Sequence, residues 1–585
     1  MVSKPTIYIG AMHIIGMAVV SFFLWLTITS VDMRWAQAEV ILHWALPVTG
    51  LLSVGLLLLE NKKNVHVSYL DALLLVWGLY YFLRLYIKSD YPCSSQVIRD
   101  IAMFSLYFLL RPMGILKEIS PLFIAAIIIL CGIYESLSGL FQWYSETSRH
   151  GFYLPTGTFL NPGPFSAYPL IALVIGITAR THLLAFTAKI PTKMCQCANA
   201  LFYASLAIMV VALFATVSRA AVISFFVILA FVYRRIYWRH RFFVLGIAVI
   251  TCLILYYIKH GSADGRWLIW HASLTAWWHN PLTGVGIGGF HKACADGMSA
   301  MYVSCANSAL FTYGNVAEYA FCDILKVIVE QGIVGMLLCV ASLSLMLRQT
   351  YLWNTSLFYG IMSLLIFSLF SYPFELYPYR ILLVLIASLA SASPLFVQGC
   401  RKLYAMIFVC FLSVSSIFVG KETQARFHAD KEIRLFSNMQ KTSLIYDYYN
   451  NLPLEMDNPR FLFDFAKTLR KARRYNESNA MLRLGALVSN DPMFFVLQGN
   501  NYKDMQCYIY AEKAYKNAFS IMPNRMYPLY LLMHLHSETG NNKQAQRYAS
   551  MIVAFREKVS SAATRQMRQE AQSFLTIKQG QKAIK

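Results

Sequence analysis

Residues 121–143 read PLFIAAIIILCGIYESLSGLFQW, an apolar run that contains a single charged residue, Glu135. A helix of this length extends about 35 Å, which is enough to cross the roughly 30 Å hydrocarbon core of a bilayer. Similar runs recur along the first 420 of the 585 residues, and 57% of the whole chain is hydrophobic. We therefore predict an all-α, polytopic membrane protein with about 12–13 transmembrane helices. The runs lie at residues 7–30, 40–59, 69–87, 101–116, 121–143, 165–177, 200–217, 220–233, 242–258, 329–347, 357–374, 381–397 and 404–419.

The positively charged residues alternate between the predicted loops. With the N-terminus in the cytoplasm, basic residues such as Lys62, Arg234 and Arg401 fall in short cytoplasmic loops, where cations are retained. The loops on the other side carry few cations, among them Arg34, Lys88, Arg99 and Arg149. Most of the formal net charge of +22 belongs to the cytoplasmic loops, so we expect the lipid bilayer and no nucleic acid as a partner.

The character of the chain changes after residue 420. Residues 421–585 carry frequent charges and no spanning run, which predicts a soluble helical domain beside a membrane domain at 1–420. Ala511 and Ala545 are 34 residues apart, the tetratricopeptide period, although Ala480 precedes Ala511 by only 31. We predict tetratricopeptide-like repeats that bind a protein partner, with generic helix packing as the alternative. An odd number of spans places this domain outside the cytoplasm.

The twelve cysteines give no metal-binding pattern. Cys195 and Cys197 lack both the spacing and the neighbouring histidine that zinc requires, so we expect no metal and no cofactor. Cys294 and Cys305 share a long outer loop, about residues 259–328, where a disulfide between them is one outcome that the sequence leaves open.

Three polar stretches fall on the outer side of this topology. They are GTFLNP at 157–162, Ser218–Arg219, and GRWLIWHASLTAWWHNPLTGVGIGGF at 265–290, and we expect them to face one cavity. Arg219 follows an almost uncharged span, where a cation requires a partner or an anion-containing wet cavity. Arg266 and Trp270 are one helical turn apart and share a face that suits a lipid phosphate and a sugar. The alternative is that both arginines anchor helices at headgroup level.

The order of these motifs resembles the O-antigen ligase and polymerase superfamily. The resemblance rests on G-T-F-x-N-P, S-R, R-x-x-x-W with N-P-L-T-G-V-G-I-G-G-F, and E-x-G-I-V-G at 330–335, and it covers about residues 157–335. It implies transfer of a glycan from an undecaprenyl-diphosphate carrier to a lipid or protein acceptor at the periplasmic face of the bacterial inner membrane. The superfamily includes ligases, polymerases of surface polysaccharide and protein O-oligosaccharyltransferases.

Cleavage of the bond to the diphosphate leaves negative charge on the leaving group, which guanidinium groups stabilise without a metal ion. We assign this catalytic role to Arg219 and Arg266. The sequence contains no Asp-x-Asp pair of the kind that holds a metal–diphosphate complex in sugar-nucleotide enzymes. The absence of this pair favours a lipid-linked donor.

The chain departs from the family pattern at the expected base. Ligases typically carry a histidine about nine residues before the glutamate of E-x-G-x-x-G, whereas this chain has Phe321 there. Asp323 is our candidate replacement, with Glu318 and Glu330 as weaker candidates, and Glu330 equally suits a carboxylate at a helix start. The residues that we expect to contact substrate are Asn161, Trp270, Glu318, Glu330 and His291.

Three functions remain open from the sequence. A ligase-type transferase moves a complete lipid-linked glycan to its acceptor, and the C-terminal repeats favour this interpretation because they offer a recruiting surface. A polymerase uses the same donor chemistry but joins repeat units. A transporter or scaffold is disfavoured, since its spans are expected to contain charges along a pathway and here few, such as Asp71 and Arg84, lie within them.

Overall fold

The computed structural model describes most of the chain. The residues that it leaves undescribed are 1–3, 30–34, 60–63, 88–90, 116–118, 149, 153, 188–190, 259, 305–310, 312–313, 315, 391–395, 437–438, 440, 558–559 and 584–585. Arg34, Lys88, Arg149 and Cys305, which figure in the topology and disulfide predictions, lie outside the described residues.

The first part of the chain is a bundle of helices, which confirms the predicted all-α polytopic class. Among the described residues, seven helices are long and apolar enough to cross a membrane, and four shorter apolar helices accompany them. Each predicted span falls at least in part on a helix. The helices are α1 (Lys4–Leu26), α2 (Gln37–Leu59), α3 (Tyr69–Ile87), α4 (Ser94–Ile115), α5 (Pro121–Tyr144), α6 (Pro162–Phe165), α7 (Ala167–Thr187), α8 (Thr192–Ala215), α9 (Arg219–Val232), α10 (Arg234–Ile258), α11 (His260–Trp277), α12 (Phe290–Ser304), α13 (Asp323–Trp353), α14 (Thr355–Ser368), α15 (Tyr377–Ala390) and α16 (Lys402–Phe436).

Two predicted spans end earlier than hydropathy suggests. The run at 357–374 is helical only to Ser368 and then passes into a short 3-10 helix at Pro373–Glu375, because a proline ring removes a donor and breaks the helical ladder. The run at 381–397 ends as a helix at Ala390, and its last residues enter a strand. That strand, β2 (Phe396–Arg401), pairs antiparallel with β1 (Asn64–Ser68), with His66 opposite Gly399. The ribbon lies near Lys402, at the end of the bundle that holds the basic loops.

The opposite end of the bundle, here called the site face, gathers the loops that were predicted to share one side. The Tyr377 hydroxyl at the start of α15 bonds Thr29 after α1, with an O–O distance of 2.8 Å. Arg99 in α4 pairs with Glu39 in α2 at 2.9 Å. These contacts bring the connections of four helices to one end, as the alternation of charges predicts.

Helix α13 is broken inside the bundle. Gly332 has φ 68° and ψ −166°, which is not helical. The freed backbone groups are bonded by the loop that precedes α12: the Val285 amide donates to the Val329 carbonyl at 2.9 Å, and the Ile333 amide donates to the Pro281 carbonyl at 2.9 Å. Backbone groups that are freed inside a membrane-spanning helix require such partners.

The glycine-rich loop and the E-x-G-I-V-G motif therefore form one structural unit. Gly284 has φ +69°, and a Cβ there would lie 2.5 Å from the Glu330 carbonyl carbon. Only glycine allows both this conformation and this approach. The close approach of the two backbones explains why this stretch contains glycine.

The C-terminal part continues as paired helices. They are α17 (Ile445–Glu455), α18 (Pro459–Lys471), α19 (Tyr475–Val488), α20 (Met493–Asp504), α21 (Tyr508–Ile521), α22 (Tyr527–Glu538), α23 (Asn542–Val553) and α24 (Ala562–Ala583). Helix α18 packs on α19, α20 on α21, and α22 on α23. Left-handed residues recur between the members of each pair, at Arg473, Gln506 and Gly540, at spacings of 33 and 34 residues. This recurrence favours a repeat, whereas the tetratricopeptide assignment stays a prediction.

The predicted division at residue 420 does not coincide with the end of a helix. Helix α16 runs without interruption from the last predicted span into the C-terminal part, and it packs against α2 and α4. Its 35 residues extend about 52 Å. The C-terminal helices also contact the site face directly, because α12 packs on α19 and α21.

Candidate functional site

The two predicted arginines both lie at the site face, close enough for the charge of Arg219 to lower the pKa of Arg266. Arg219 is the first residue of α9, where the Ser218 hydroxyl caps the helix by accepting from the Ala221 amide. The preceding Val217 has φ 52°, a left-handed conformation that costs a β-branched residue about 1–3 kcal/mol. The tight turn sets Arg219 at the positive end of the helix dipole, beside Arg266.

Arg266 is held by neutral groups. Its Nη1 donates to the Phe370 carbonyl at 2.5 Å, and its guanidinium lies 4.7 Å from the centre of the Phe321 ring. The Nε atom is buried and has no hydrogen-bond partner among the described residues. Burial and the charge of Arg219 lower the pKa of Arg266 to about 10, so the side chain remains a cation near neutral pH.

Other cations at this face are neutralised by carboxylates. Arg99 pairs with Glu39 at 2.9 Å. Lys326 pairs with Glu375 at 2.6 Å, and Arg380 pairs with Asp100 at 2.7 Å. Burial and the charge of Arg219 lower the pKa of Arg266, and Tyr372 acts in the opposite direction. Arg266, held by a carbonyl and an aromatic ring near the positive charge of Arg219, forms a site that attracts an anion.

Aromatic rings line one side of the arginines. The rings of Tyr319 and Tyr372 stack with centroids 3.8 Å apart, and Phe321 meets the Tyr372 ring edge-on. The Asn161 carboxamide donates to the Tyr372 hydroxyl at 3.3 Å and also caps α6. Burial and the charge of Glu318 raise the pKa of Tyr319 to about 12, so its phenol stays protonated near neutral pH. Stacked rings beside a carboxamide suit the faces and hydroxyls of a sugar.

Residues 317–321, here called the site loop, are fixed from several directions. Trp270 Nε1 donates to the Ala320 carbonyl at 2.9 Å, which places Trp270 and Arg266 on the same face of α11 as predicted. His291 Nδ1 lies 3.0 Å from the Ala317 carbonyl. Phe321 has φ 53°, an unfavourable conformation for an aromatic residue that persists only where its surroundings hold it.

His291 acts on this loop as a neutral donor. Burial and the nearby charge of Lys326 lower its pKa to about 4. Because a carbonyl only accepts, the Nδ1 atom that faces Ala317 carries the proton. The structure thus places His291 behind the site loop, where it supports the backbone.

The candidate bases lie in different surroundings. Glu318 is exposed on the site loop, and it has no ion pair among the described residues. Its charge acts on both Tyr319 and Tyr372, the tyrosine that also senses Arg266. Asp323 instead accepts from the Phe374 amide at 3.3 Å, at the start of α13. Glu330 is 2% exposed and accepts from Gln96 Nε2 at 3.0 Å.

Asp323 and Glu330 line a neighbouring cavity of about 580 Å³. Its walls are mostly apolar side chains of α3, α4, α13, α14 and α15, and charged residues cluster in its lining. Although burial raises the pKa of Glu375, the charges of Lys326 and Arg380 outweigh it and lower this pKa to about 2. The charged residues of this lining are Asp100, Asp323, Lys326, Glu330, Glu375 and Arg380.

The first outer stretch is anchored by Glu135, a residue for which the sequence predicted no role. Glu135, fully buried in α5, accepts from the Thr158 hydroxyl at 2.7 Å and from its amide at 3.1 Å. Gly157, with φ +55°, leaves no room for a Cβ against this carboxylate. The G-T-F-x-N-P motif thus folds onto α5 and presents Asn161. Tyr372 was also missed, and its only signal is the aromatic, proline-containing segment SYPFELY at 371–377.

The sequence of one segment matches a known family. The family model for O-antigen ligase matches residues 204–340. This match supports the resemblance of the chain to the O-antigen ligase superfamily. The matched residues, 204–340, include both arginines, Trp270, the site loop and the break in α13, while Asn161 lies outside them. No curated protein matches the chain.

Within the described residues, no group of three or more His, Cys, Asp or Glu side chains is placed to hold a metal ion. Cys294 is buried and forms no disulfide among the described residues, and Cys305, the partner that the sequence left open, is not described.

Proposed function

We propose that the chain is an O-antigen ligase-type glycosyltransferase that moves a glycan from an undecaprenyl-diphosphate carrier to a lipid or protein acceptor. The observation that carries the proposal is the pair Arg219 and Arg266, two adjacent cations of which the second is held by a carbonyl and a phenylalanine ring. The O-antigen ligase match over residues 204–340 supports the same reaction class.

The pair addresses the charge that the reaction develops. An acceptor oxygen attacks the anomeric carbon, the bond from that carbon to the diphosphate oxygen breaks, and the electron pair stays on the leaving diphosphate. The Phe370 carbonyl accepts one hydrogen of Nη1 of Arg266. We assign the fork for two phosphate oxygens to Nη2 and to Nε, which is buried and has no partner among the described residues. Arg219 and the N-terminus of α9 add further positive potential.

Glu318 is our candidate for the group that takes the acceptor proton. It is exposed at the edge of the aromatic platform formed by Tyr319 and Tyr372, where an acceptor hydroxyl has access from solvent. Asp323 remains the alternative base, although its position against the Phe374 amide and the charged cluster favours a structural role. In either case the proton moves from the attacking oxygen to a carboxylate and then to water or the released diphosphate.

The surroundings suit a membrane-borne donor. The apolar cavity of about 580 Å³ offers space for a hydrocarbon chain beside the site face. The basic residues at the opposite end, such as Arg401 and Lys402, favour the cytoplasm for that end and the periplasm for the site face and the C-terminal domain. The acceptor then approaches from the side on which the C-terminal helices lie.

The test compares Glu318→Gln with Asp323→Asn, two isosteric substitutions, in the purified protein reconstituted with a lipid-linked glycan and an acceptor. Release of undecaprenyl diphosphate reports turnover. We expect Glu318→Gln to lower kcat by about 10²–10⁴-fold, the usual contribution of a general base, and Asp323→Asn to have a smaller effect. The reverse order assigns the base to Asp323, and full activity in both variants removes both carboxylates from the proton transfer.

The length of the product separates a ligase from a polymerase in the same assay. A ligase attaches a preformed chain once, so product size follows the donor. A ladder of lengths from a single-repeat donor contradicts the ligase assignment and favours a polymerase.

A further inference from the structure

Two connections between C-terminal helices bond the backbone of the site loop and of Gly314, which precedes it. Asn490, in the connection between α19 and α20, accepts from the Ala317 amide at 2.8 Å through its Oδ1 atom. Both residues are 1% exposed. Asn524, between α21 and α22, donates to the Gly314 carbonyl at 2.8 Å. Two successive connections between the helix pairs thus contact residues just before Glu318.

The contact belongs to a broad interface. The Ser299 and Ser520 hydroxyls lie 2.9 Å apart, and the Tyr302 ring meets the Phe519 ring at 5.4 Å. On the membrane side, the Asp457 carboxylate accepts from the Ser95 amide at 2.6 Å at the start of α4. The C-terminal domain is therefore bound to both the outer-loop helix α12 and the bundle.

This arrangement leaves the residue before Glu318 with no free backbone group. The Ala317 amide bonds Asn490, and its carbonyl bonds His291. Four residues later, Phe321 holds a strained φ of 53° under Arg266. A loop fixed at both ends places its carboxylate in one position, and displacement of a catalytic group by about 1 Å lowers turnover by roughly 10²-fold.

We propose that the C-terminal helical domain is a positioning element of the transfer site: Asn490 fixes the site loop and Asn524 fixes Gly314 ahead of it, so that Glu318 meets the acceptor. This role rests on the proposed function. It assigns the domain a part in the acceptor step of the reaction, in addition to any partner that its outer surface binds. Asn490 bonds Ala317 and the Cys294 thiol, whereas Arg266 is held by Phe370 and Phe321, so we expect loss of Asn490 to act on the acceptor step more than on the grip on the donor diphosphate.

The test uses full-length Asn490→Ala and Asn524→Ala in the reconstituted assay with the lipid-linked glycan donor. Asn501→Ala is the matched control, because Asn501 is fully buried and bonds Ser478 and Asn479 within the same domain, away from the site loop. Thermal unfolding of each variant measures the loss of stability that is common to all three. Steady-state kinetics at varied donor concentration separates kcat from the KM for the donor.

We expect Asn490→Ala to lower kcat by about 10–100-fold with an unchanged KM for the donor, and Asn524→Ala to act in the same direction by a smaller factor. Asn501→Ala is expected to lower thermal stability and to keep kcat. Equal kcat losses in Asn501→Ala and Asn490→Ala overturn the proposal, as does full activity in Asn524→Ala if Asn490→Ala does not fold. A wild-type protein that releases no undecaprenyl diphosphate instead refutes the proposed function, and this role with it.

Discussion

Removal of the Arg266 side chain tests the anion site most directly. One of the five N–H donors of Arg266 is bonded to the Phe370 carbonyl, and the proposed fork of Nε and Nη2 makes two hydrogen bonds to the diphosphate. Hydrogen bonds to charged groups contribute about 1.5–3 kcal/mol each, so Arg266→Ala loses about 3–6 kcal/mol of transition-state stabilisation. At about 1.4 kcal/mol per factor of ten, kcat/KM falls by roughly 10²–10⁴-fold. Arg266→Lys keeps the charge but loses the fork, so we expect only partial recovery.

The assay is release of undecaprenyl diphosphate by purified variants in proteoliposomes, with thermal unfolding as the measure of folding. Arg348→Ala provides a matched control, because Arg348 lies near the other end of α13 from the site loop. Arg219→Ala and the double variant complete a double-mutant cycle. If both arginines bind one diphosphate, the double variant loses less than the sum of the single losses in ln(kcat/KM). Activity of Arg266→Ala within about threefold of wild type refutes the reasoning.

Two further predictions concern the supports of the site. The folded-state pKa of His291 is about 4, below its unfolded value of 6.5, so its contribution to stability is complete above pH 6.5 and is lost as the pH falls towards 4. The loss amounts to about 3 kcal/mol. His291→Asn keeps a donor but does not titrate, so we expect its unfolding temperature to fall less than that of the wild type between pH 7 and pH 4. Parallel declines in the two unfolding temperatures contradict this prediction. Gly284→Ala is expected to lower stability by about 2–4 kcal/mol, because its Cβ meets the Glu330 backbone at 2.5 Å and φ is +69°. Gly55→Ala, where no atom lies within 4 Å of the new Cβ, is the control, and equal unfolding temperatures for the two variants exclude the proposed close approach.

The helices, and the gathering of the predicted outer loops at one end of the bundle, were predictable from the sequence. Hydrocarbon thickness sets the length of an apolar run, and the retention of cations on one side sets its direction, so both leave local signals. The same alternation placed Asn161, Arg219 and Arg266 on one face, and the contacts among Asn161, Tyr372 and Arg266 are consistent with it. The one-turn spacing of Arg266 and Trp270 was equally readable, because α11 is a regular helix there.

Contacts between distant segments left no such signal. The partners of Arg266 are Phe370 and Phe321, and Tyr372 meets Asn161 across more than 200 residues of sequence. The burial of a carboxylate likewise depends on which loop covers it, so the sequence did not predict that Glu318 is exposed while Asp323 lies against the Phe374 amide. The boundary at residue 420 marks the end of an apolar run. Helix α16 continues past it, because the backbone hydrogen bonds of a helix form within the helix both in a membrane and in water.

The uninterrupted course of α16 constrains how the chain can change in length. Each residue added to a helix turns everything beyond it by about 100° and advances it by 1.5 Å. An insertion of one residue just above the bilayer would therefore swing the C-terminal helices to another side of the bundle. Only additions close to whole turns restore the azimuth, and these raise the helices by about 5 Å for each turn. We therefore expect the length of α16 to change only by about whole helical turns, and we expect α16 to tolerate substitutions far more readily than insertions or deletions.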